Sequence, residues 1–301
     1  MKSIACPICK LSKSQLLFKL GQKLTPYSVS ICQNCGFVFQ NPRWTQERLN
    51  EYYQTEYDSI HRPKGKSLEP NPENPDAIKV FQRSQRYLPP KVRRILDYGA
   101  GRGDVISCFR NRLPPEVDFL AIEPSIIYRQ TLIAAKFNVI DFPGVNPRFE
   151  LGHVDFIAMR HVVEHFDNPI TSLIEALTLL RPNGIIYLAV PNVMHGAILD
   201  CLSFPHVSYF NEATFRVLVS MLPLNVLDLK VAGDEIYGIF EKRISRAGAA
   251  KDTDRSNYAF TIEHINSTLS WRVYLLRRLR RIISFLIPAR ILRQLIKLCA
   301  K

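Results

Sequence analysis

Ile95-Leu-Asp-Tyr-Gly-Ala-Gly-Arg-Gly-Asp104 is the stretch that decides the fold. Residues 92–96, an apolar run with basic flanks, predict a short buried strand, and helical spacing of apolar residues resumes after the glycines. A strand, a glycine turn and a helix in this order are typical of the ligand site that an α/β sheet forms at its carboxyl edge. Glycine suits such a turn because it has no Cβ to keep a ligand away from the backbone.

The spacing of the glycines and the acids around them limit the class of ligand that this turn can bind. The dinucleotide fingerprint is Gly-x-Gly-x-x-Gly, but here Asp104 occupies the place of the third glycine. Asp97, just before the turn, is unfavourable beside a pyrophosphate and suits a cationic ligand with an amino group. Both features disfavour an NAD-dependent dehydrogenase.

A second acid follows the next apolar run, residues 117–122. Glu123 ends this predicted strand, where a carboxylate accepts hydrogen bonds from both hydroxyls of a ribose. Asp97, the glycines and Glu123 together predict a nucleoside site with a cationic end. The alternative is a solvent-facing turn that is merely rich in glycine.

The overall composition is that of a globular protein. The chain has 301 residues, is 47% hydrophobic and has a mean hydropathy of −0.05. No apolar run reaches the ~20 residues of a membrane span, and the first residues lack the apolar stretch of a signal peptide. We therefore expect a cytoplasmic location with reduced thiols.

Two Cys-x-x-Cys pairs near the amino terminus predict a zinc ribbon over residues 1–42. The pairs are 22 residues apart, and four thiolates in this pattern can surround one Zn²⁺ ion, the ligands being Cys6, Cys9, Cys32 and Cys35. Four protein ligands leave no open position for catalysis, so the predicted role is structural. The alternative is four unconnected buried cysteines.

Residues 43–75 form a connecting segment that is rich in aromatic residues and proline. Proline interrupts helices and sheets, so most of this segment is predicted to be a loop. It is either a lid over the site or a segment packed on the core. Beyond it, residues 76–244 alternate between predicted strands and helices, which indicates an α/β domain with a largely parallel sheet.

The segment 94–243 resembles a class I S-adenosylmethionine-dependent methyltransferase. The glycine turn is similar to the first motif of that family, and Val162-Val-Glu-His-Phe166 to the motif after its fourth strand. Leu180-Arg-Pro-Asn-Gly-Ile-Ile-Tyr-Leu-Ala-Val-Pro-Asn192 is similar to the fifth-strand motif. The resemblance implies a Rossmann-like, seven-stranded, mostly parallel sheet. The amino-terminal ribbon resembles the zinc-containing branch that includes sugar C-methyltransferases acting on nucleotide-linked deoxysugars.

The resemblance also implies which residues hold S-adenosylmethionine. Its amino acid part would lie by the turn, its ribose on the acid after the next strand, and its sulfonium near the end of the fourth strand. The residues concerned are Asp97, Tyr98, Gly99, Gly101, Glu123, Pro124, Arg160 and His161. The predicted activity is methyl transfer to a small polar acceptor, most simply a nucleotide-linked sugar or a glycan intermediate.

Three residues are candidates for catalysis. His206 lies where the sugar C-methyltransferases carry a catalytic histidine preceded by glutamate, but here Pro205 precedes it, which leaves methylation of a hydroxyl open. His165 and Tyr57 are the other candidates for base, acid or acceptor contact. Structural roles, namely capping or packing, are the alternative for all three.

The tail, residues 257–301, is predicted to form two basic amphipathic helices divided at Pro288. The net charge is +13, and nine basic residues and no acid follow Trp271, so the remainder carries only 13 − 9 = +4. Such helices either pack on the enzyme or a second subunit, or lie on an anionic membrane surface. A nucleic-acid-binding ribbon protein with a vestigial methyltransferase fold is disfavoured, because the charge lies far from the ribbon. An O-methyltransferase of a non-sugar metabolite stays open.

Overall fold

The computed structural model describes residues 1–21, 26–56, 67–140, 153–243 and 256–268. The central element is a seven-stranded sheet. Its strands lie in the order β10 (Leu224–Ala232), β11 (Glu235–Lys242), β8 (Leu180–Pro191), β7 (Val154–Arg160), β4 (Arg94–Tyr98), β5 (Asp118–Ile122) and β6 (Asn138–Val139). The pairs β4–β5, β4–β7, β5–β6 and β7–β8 are parallel, whereas β11 is antiparallel to both β8 and β10. The predicted α/β fold with a seven-stranded, mostly parallel sheet is therefore confirmed.

The elements of the α/β unit follow the expected alternation. Its helices are α2 (Pro75–Ser84), α3 (Asp104–Arg110), α4 (Ile126–Ala134), α5 (Pro169–Leu179), α6 (Ile198–Cys201) and α7 (Glu212–Ser220), with 3₁₀ turns at Gln85–Tyr87 and Val163–His165.

Local sequence explains where these elements begin. The central strands β4, β5 and β7 are buried along nearly their whole length, as expected for parallel strands covered on both faces. Helices α4, α5 and α7 begin after residues whose side chains accept a hydrogen bond from the first turn, namely Ser125, Asn168 and Asn211.

A second, four-stranded sheet with the order β1-β2-β3-β9 forms the amino-terminal part. It contains β1 (Ser14–Leu20), β2 (Tyr27–Cys32) and β3 (Val38–Gln40), and α1 (Gln46–Thr55) follows it. Its fourth strand, β9 (Ser208–Tyr209), comes from the α/β unit and pairs antiparallel with β3. The small sheet is thus joined to the larger unit by backbone hydrogen bonds, close to His206.

Helix α8 (Ser256–Thr268) packs against the amino-terminal sheet. Ile265 is buried in the same apolar cluster as Val29 and Ile31. The Asn257 side chain donates to the carbonyl oxygen of Cys35 at 2.6 Å. The rest of the predicted basic helices, residues 269–301, lies outside the described residues. None of the described helices is both long and apolar enough to cross a membrane.

Strand β8 contains an irregular segment near its start. Arg181-Pro-Asn-Gly184 belongs to β8, which begins at Leu180, directly after α5 ends at Leu179. The pairing with β7 jumps from Leu180 to Ile185, and Asn183 has a left-handed φ of 58°. The four residues therefore bulge from the ladder, which accommodates the turn chemistry within the strand.

Candidate functional site

The site lies where the strand order reverses. From β4 the chain continues to β5 and β6 on one side of the sheet, and then crosses to β7 and β8 on the other. Ligands of open α/β sheets bind at the carboxyl ends of the strands at this switch point. Asp97 in β4, Glu123 after β5 and Arg160 in β7 all lie at this edge, so the structure brings the main predicted cofactor residues together.

Asp97 is a buried acid at the base of the glycine turn. It is 4% exposed, and its Oδ2 accepts a hydrogen bond from the Ile106 amide at 3.2 Å. Burial raises the pKa of Asp97 to about 7, and the nearby negative charges of Glu123 and Asp104 act in the same direction. A ligand ammonium group would stabilise the ionised form of this carboxylate.

The glycine turn is shaped by left-handed backbone. Gly99, Gly101 and Gly103 have φ angles of +76°, +55° and +92°. The Gly99 and Ala100 amides both donate to the carbonyl oxygen of Ile122, at 2.8 and 3.0 Å. A Cβ at Gly99 would lie 2.5 Å from Val162, whereas among the described residues no atom lies within 4 Å of a Cβ built at Gly101. The turn is therefore packed beneath Gly99 and open above Gly101.

This contrast predicts different stabilities for two alanine variants. Gly101→Ala is destabilised by the left-handed backbone, by about 1 kcal/mol. Gly99→Ala is destabilised by the same amount and also overpacks against Val162, which adds about 1–3 kcal/mol. We expect thermal unfolding to show the larger loss for Gly99→Ala. Equal losses in the two variants would contradict the packing described for Gly99.

Glu123 ties the turn to the following helix. Its Oε2 accepts from the Gly101 amide at 2.6 Å and its Oε1 from the Ser125 amide at 2.8 Å. The carboxylate is only 7% exposed, and Pro124 beside it is exposed. A carboxylate oxygen can accept more than one hydrogen bond, so the same group can also accept hydrogen bonds from ribose hydroxyls.

Asp104, in the place of the third fingerprint glycine, anchors the segment before α2. It accepts hydrogen bonds from the Asn71 amide at 2.8 Å and from the Asn74 side chain, and it pairs with Arg102 at 2.7 Å. Residues 67–74 are thereby held against the glycine turn. Asp104 thus binds both a neighbour in the turn and a segment about thirty residues earlier in the chain. The sequence did not predict this role.

Arg160 and His161, at the end of β7, share one buried partner. Glu235 is bound by Arg160 Nε at 3.0 Å, by His161 Nε2 at 3.1 Å and by the Arg83 guanidinium. Burial alone would raise the pKa of Glu235, but the hydrogen bonds from His161 and Arg83 and the charge of Arg160 lower it to about 2. Sequence reasoning missed Glu235 and Arg83, although a charged residue opening the apolar strand β11 was a usable signal.

The lowered pKa of Glu235 predicts a pH-dependent stability. Because the folded-state value, about 2, lies below the ordinary 4.5, ionised Glu235 stabilises the fold above about pH 4.5, and this contribution is lost as the pH falls towards 2. We expect Glu235→Gln to lower the free energy of unfolding by roughly 3 kcal/mol at neutral pH. In urea unfolding, the difference from wild type should shrink at about pH 3.

Glu241→Gln, farther along the same strand and partly exposed, is the matched control for this prediction. It should change stability little at either pH. If the loss of unfolding free energy in Glu235→Gln stays the same size in acid, then packing and not charge accounts for the stabilising effect of Glu235.

The two predicted catalytic histidines lie together. The rings of His165 and His206 are 4.7 Å apart between centroids and nearly perpendicular. Glu164 lies beside them, with its Oε1 4.0 Å from His206 Nε2, and burial raises the pKa of this carboxyl to about 7. Tyr98 packs edge-on against Phe166, next to this group. Tyr57 lies outside the described residues.

The four ribbon cysteines converge. Cys6 and Cys35 have sulfur atoms 3.6 Å apart, those of Cys9 and Cys32 are 3.4 Å apart, and all four sulfurs lie within 4.8 Å of one another. Thiolates about 2.3 Å from a tetrahedral zinc ion lie about 3.8 Å apart. Each knuckle is closed by a backbone hydrogen bond, Lys10 to Cys6 and Gly36 to Cys32. The donor set therefore fits zinc.

Comparison with known proteins identifies the family. A family described as "Methyltransferase domain" matches residues 74–229, which is about half of the chain. The chain belongs to this family of methyltransferase domains. No curated protein matches the chain significantly in a sequence search.

Several solved structures are similar to this chain at low identity. The 1,6-didemethyltoxoflavin-N1-methyltransferase of Burkholderia thailandensis is 14% identical, over 76% of this chain and 99% of that one, with a TM-score of 0.48. A SAM-dependent methyltransferase from Archaeoglobus fulgidus is 17% identical over 55% and 94%, with a TM-score of 0.44. The CurJ carbon methyltransferase is 18% identical over 56% of this chain, with a TM-score of 0.44, and the match spans only 54% of that protein.

Proposed function

We propose that this protein transfers a methyl group from S-adenosylmethionine to a small polar acceptor. The observation that carries the proposal is the placement of two buried acids, Asp97 and Glu123, on either side of a glycine turn at the switch point of the sheet. Asp97 suits the ammonium group of the cofactor, and Glu123 suits its ribose hydroxyls. The open space above Gly101 leaves room for the ligand between them.

Four further residues lie beside the two acids or at the end of the neighbouring strand, and we assign them to the cofactor site. S-adenosylmethionine supplies an electrophilic methyl group when bound. Tyr98 and Pro124 flank the two acids, and Arg160 and His161 lie at the end of the neighbouring strand, fixed by Glu235. The protein's task is then to hold the acceptor in line and to accept its proton.

For the acceptor we propose a sugar, either nucleotide-linked or part of a glycan intermediate. The support is the resemblance to zinc-containing sugar C-methyltransferases, together with the four-cysteine site and the position of His206. His206 and His165 are proposed as base or orienting groups, and Tyr57 as an acceptor contact. Pro205 stands where those enzymes carry glutamate before the histidine, so methylation of a hydroxyl oxygen stays open beside methylation of carbon.

A labelled-methyl transfer assay tests this function. The protein is incubated with methyl-labelled S-adenosylmethionine and either nucleotide-linked deoxysugars or extracted glycans, and the labelled products are mapped. We expect label on a sugar oxygen or carbon. Label only on nucleic acid, protein or non-sugar metabolites would reject the sugar, and no transfer to any acceptor would count against the activity.

A further inference from the structure

Glu164, His165 and His206 form a cluster that the proposed cofactor site does not use. One ligand atom from each lies within 4.8 Å of the others. The cluster is distinct from the four cysteines, since its members come from the 3₁₀ turn after β7 and from the segment before β9.

The buried carboxylate is the decisive group. Glu164 is 1% exposed, and neither oxygen of its side chain has a hydrogen-bond partner among the described residues. A buried polar group without a partner is costly, and buried charges are normally paired or coordinate a metal. We propose that Glu164, His165 and His206 bind a divalent transition-metal ion.

The donor set and its spacing fit such an ion. Two imidazoles and one carboxylate suit zinc, manganese, iron or cobalt, whereas magnesium and calcium prefer oxygen ligands alone. Ligand atoms about 2.1 Å from a tetrahedral ion lie about 3.4 Å apart. Glu164 Oε1 and His206 Nε2 are 4.0 Å apart, and all three ligand atoms lie within 4.8 Å of one another, so small side-chain rotations would bring them to this spacing.

The backbone holds the two segments together without a metal. The Val207 amide donates to the Glu164 carbonyl oxygen at 2.9 Å, and the Gln40 side chain donates to the His206 carbonyl oxygen at 2.7 Å. The nearby positive charges do not oppose a cation strongly, because Arg160 and His161 are both bonded to Glu235. The backbone around the site is therefore already in place, and the nearby charges permit a cation.

The metal would act on the acceptor, and this role rests on the proposed function, with His165 and His206 acting as orienting groups that hold the ion and not as the base. Three protein ligands leave a coordination position open, and His206 is 21% exposed, so the position is accessible. A hydroxyl bound there loses its proton to water more readily. The freed electron pair of the oxygen then forms the bond to the methyl carbon as the methyl–sulfur bond breaks, leaving S-adenosylhomocysteine.

Cobalt binding to the full-length protein tests the site. Protein with zinc in the cysteine site is titrated with Co²⁺ in equilibrium dialysis, and the absorption spectrum separates thiolate from imidazole and carboxylate ligands. We expect one Co²⁺ ion per chain without a thiolate band. Glu164→Gln and His206→Asn should each weaken this uptake at least tenfold, and their thermal unfolding shows whether they fold.

His153→Asn is the matched control, because His153 is exposed at the opposite end of β7; it should bind Co²⁺ as wild type does. No uptake by the wild type, or equal uptake by Glu164→Gln, would overturn the metal site. If Glu164→Gln does not fold, the metal site is tested by the Co²⁺ uptake of His206→Asn and by the number of Co²⁺ ions bound per wild-type chain. Titration of the same samples with S-adenosylmethionine separates this failure from failure of the proposed function, because cofactor binding does not require the cluster.

Discussion

Replacing Glu123 with alanine is expected to weaken S-adenosylmethionine binding by at least about 100-fold. In the proposed cofactor site, the carboxylate accepts two charge-assisted hydrogen bonds from the ribose, each contributing roughly 1.5–3 kcal/mol. Each 1.4 kcal/mol is about a factor of ten in affinity. It also holds the Gly101 and Ser125 amides, so its loss loosens the turn that faces the ligand. Isothermal titration calorimetry measures the effect.

Two further variants separate charge from shape at this position. Glu123→Gln keeps an acceptor oxygen and the side-chain volume, so its affinity should fall between those of wild type and alanine. Asp118→Ala, at the other end of β5 and partly exposed, removes an acid from the same strand and should bind as wild type does. If Glu123→Ala binds S-adenosylmethionine as tightly as wild type does, then Glu123 does not bind the ribose.

Replacing Cys35 with serine is expected to cost one zinc ion per chain and much of the stability of the amino-terminal sheet. A closed four-thiolate site contributes on the order of 10 kcal/mol to folding, and the carbonyl oxygen of Cys35 also receives the Asn257 side chain from α8. Elemental analysis and thermal unfolding measure the two effects.

Cys201→Ser is the control for this experiment, because Cys201 is partly exposed and lies outside the four-cysteine group. It should keep its zinc and its unfolding temperature. A Cys35→Ser protein that retains the full zinc content, or a wild type that is purified without zinc and folds equally well, would contradict the ribbon assignment.

The strands of the α/β unit were predictable because their chemistry is local. Buried parallel strands are continuous apolar runs, and acids such as Asp97 and Glu123 stand out where those runs end. The four cysteines were equally predictable, because the Cys-x-x-Cys spacing of metal ligands can be recognised in the sequence. Strand β9 was not visible, because two residues carry no periodicity and their pairing with β3 is a long-range event.

The contacts between distant segments could not be predicted for the same reason. Glu235 opens a strand that was expected, but its bonds to Arg83 and Arg160 depend on how α2 and β7 meet it. Likewise, the sequence shows Glu164 beside His165, and only the fold brings His206 to them. The sequence therefore predicts which residues lie at the end of each strand, but it does not predict which of them contact residues from other strands.

The most direct test of the central claim is calorimetric titration of the wild-type protein with S-adenosylmethionine, and with NAD for comparison. The structure predicts one S-adenosylmethionine site per chain and no NAD binding. Failure to bind S-adenosylmethionine, or preferential binding of NAD, would contradict the assignment of Asp97, the glycine turn and Glu123 to a sulfonium nucleoside.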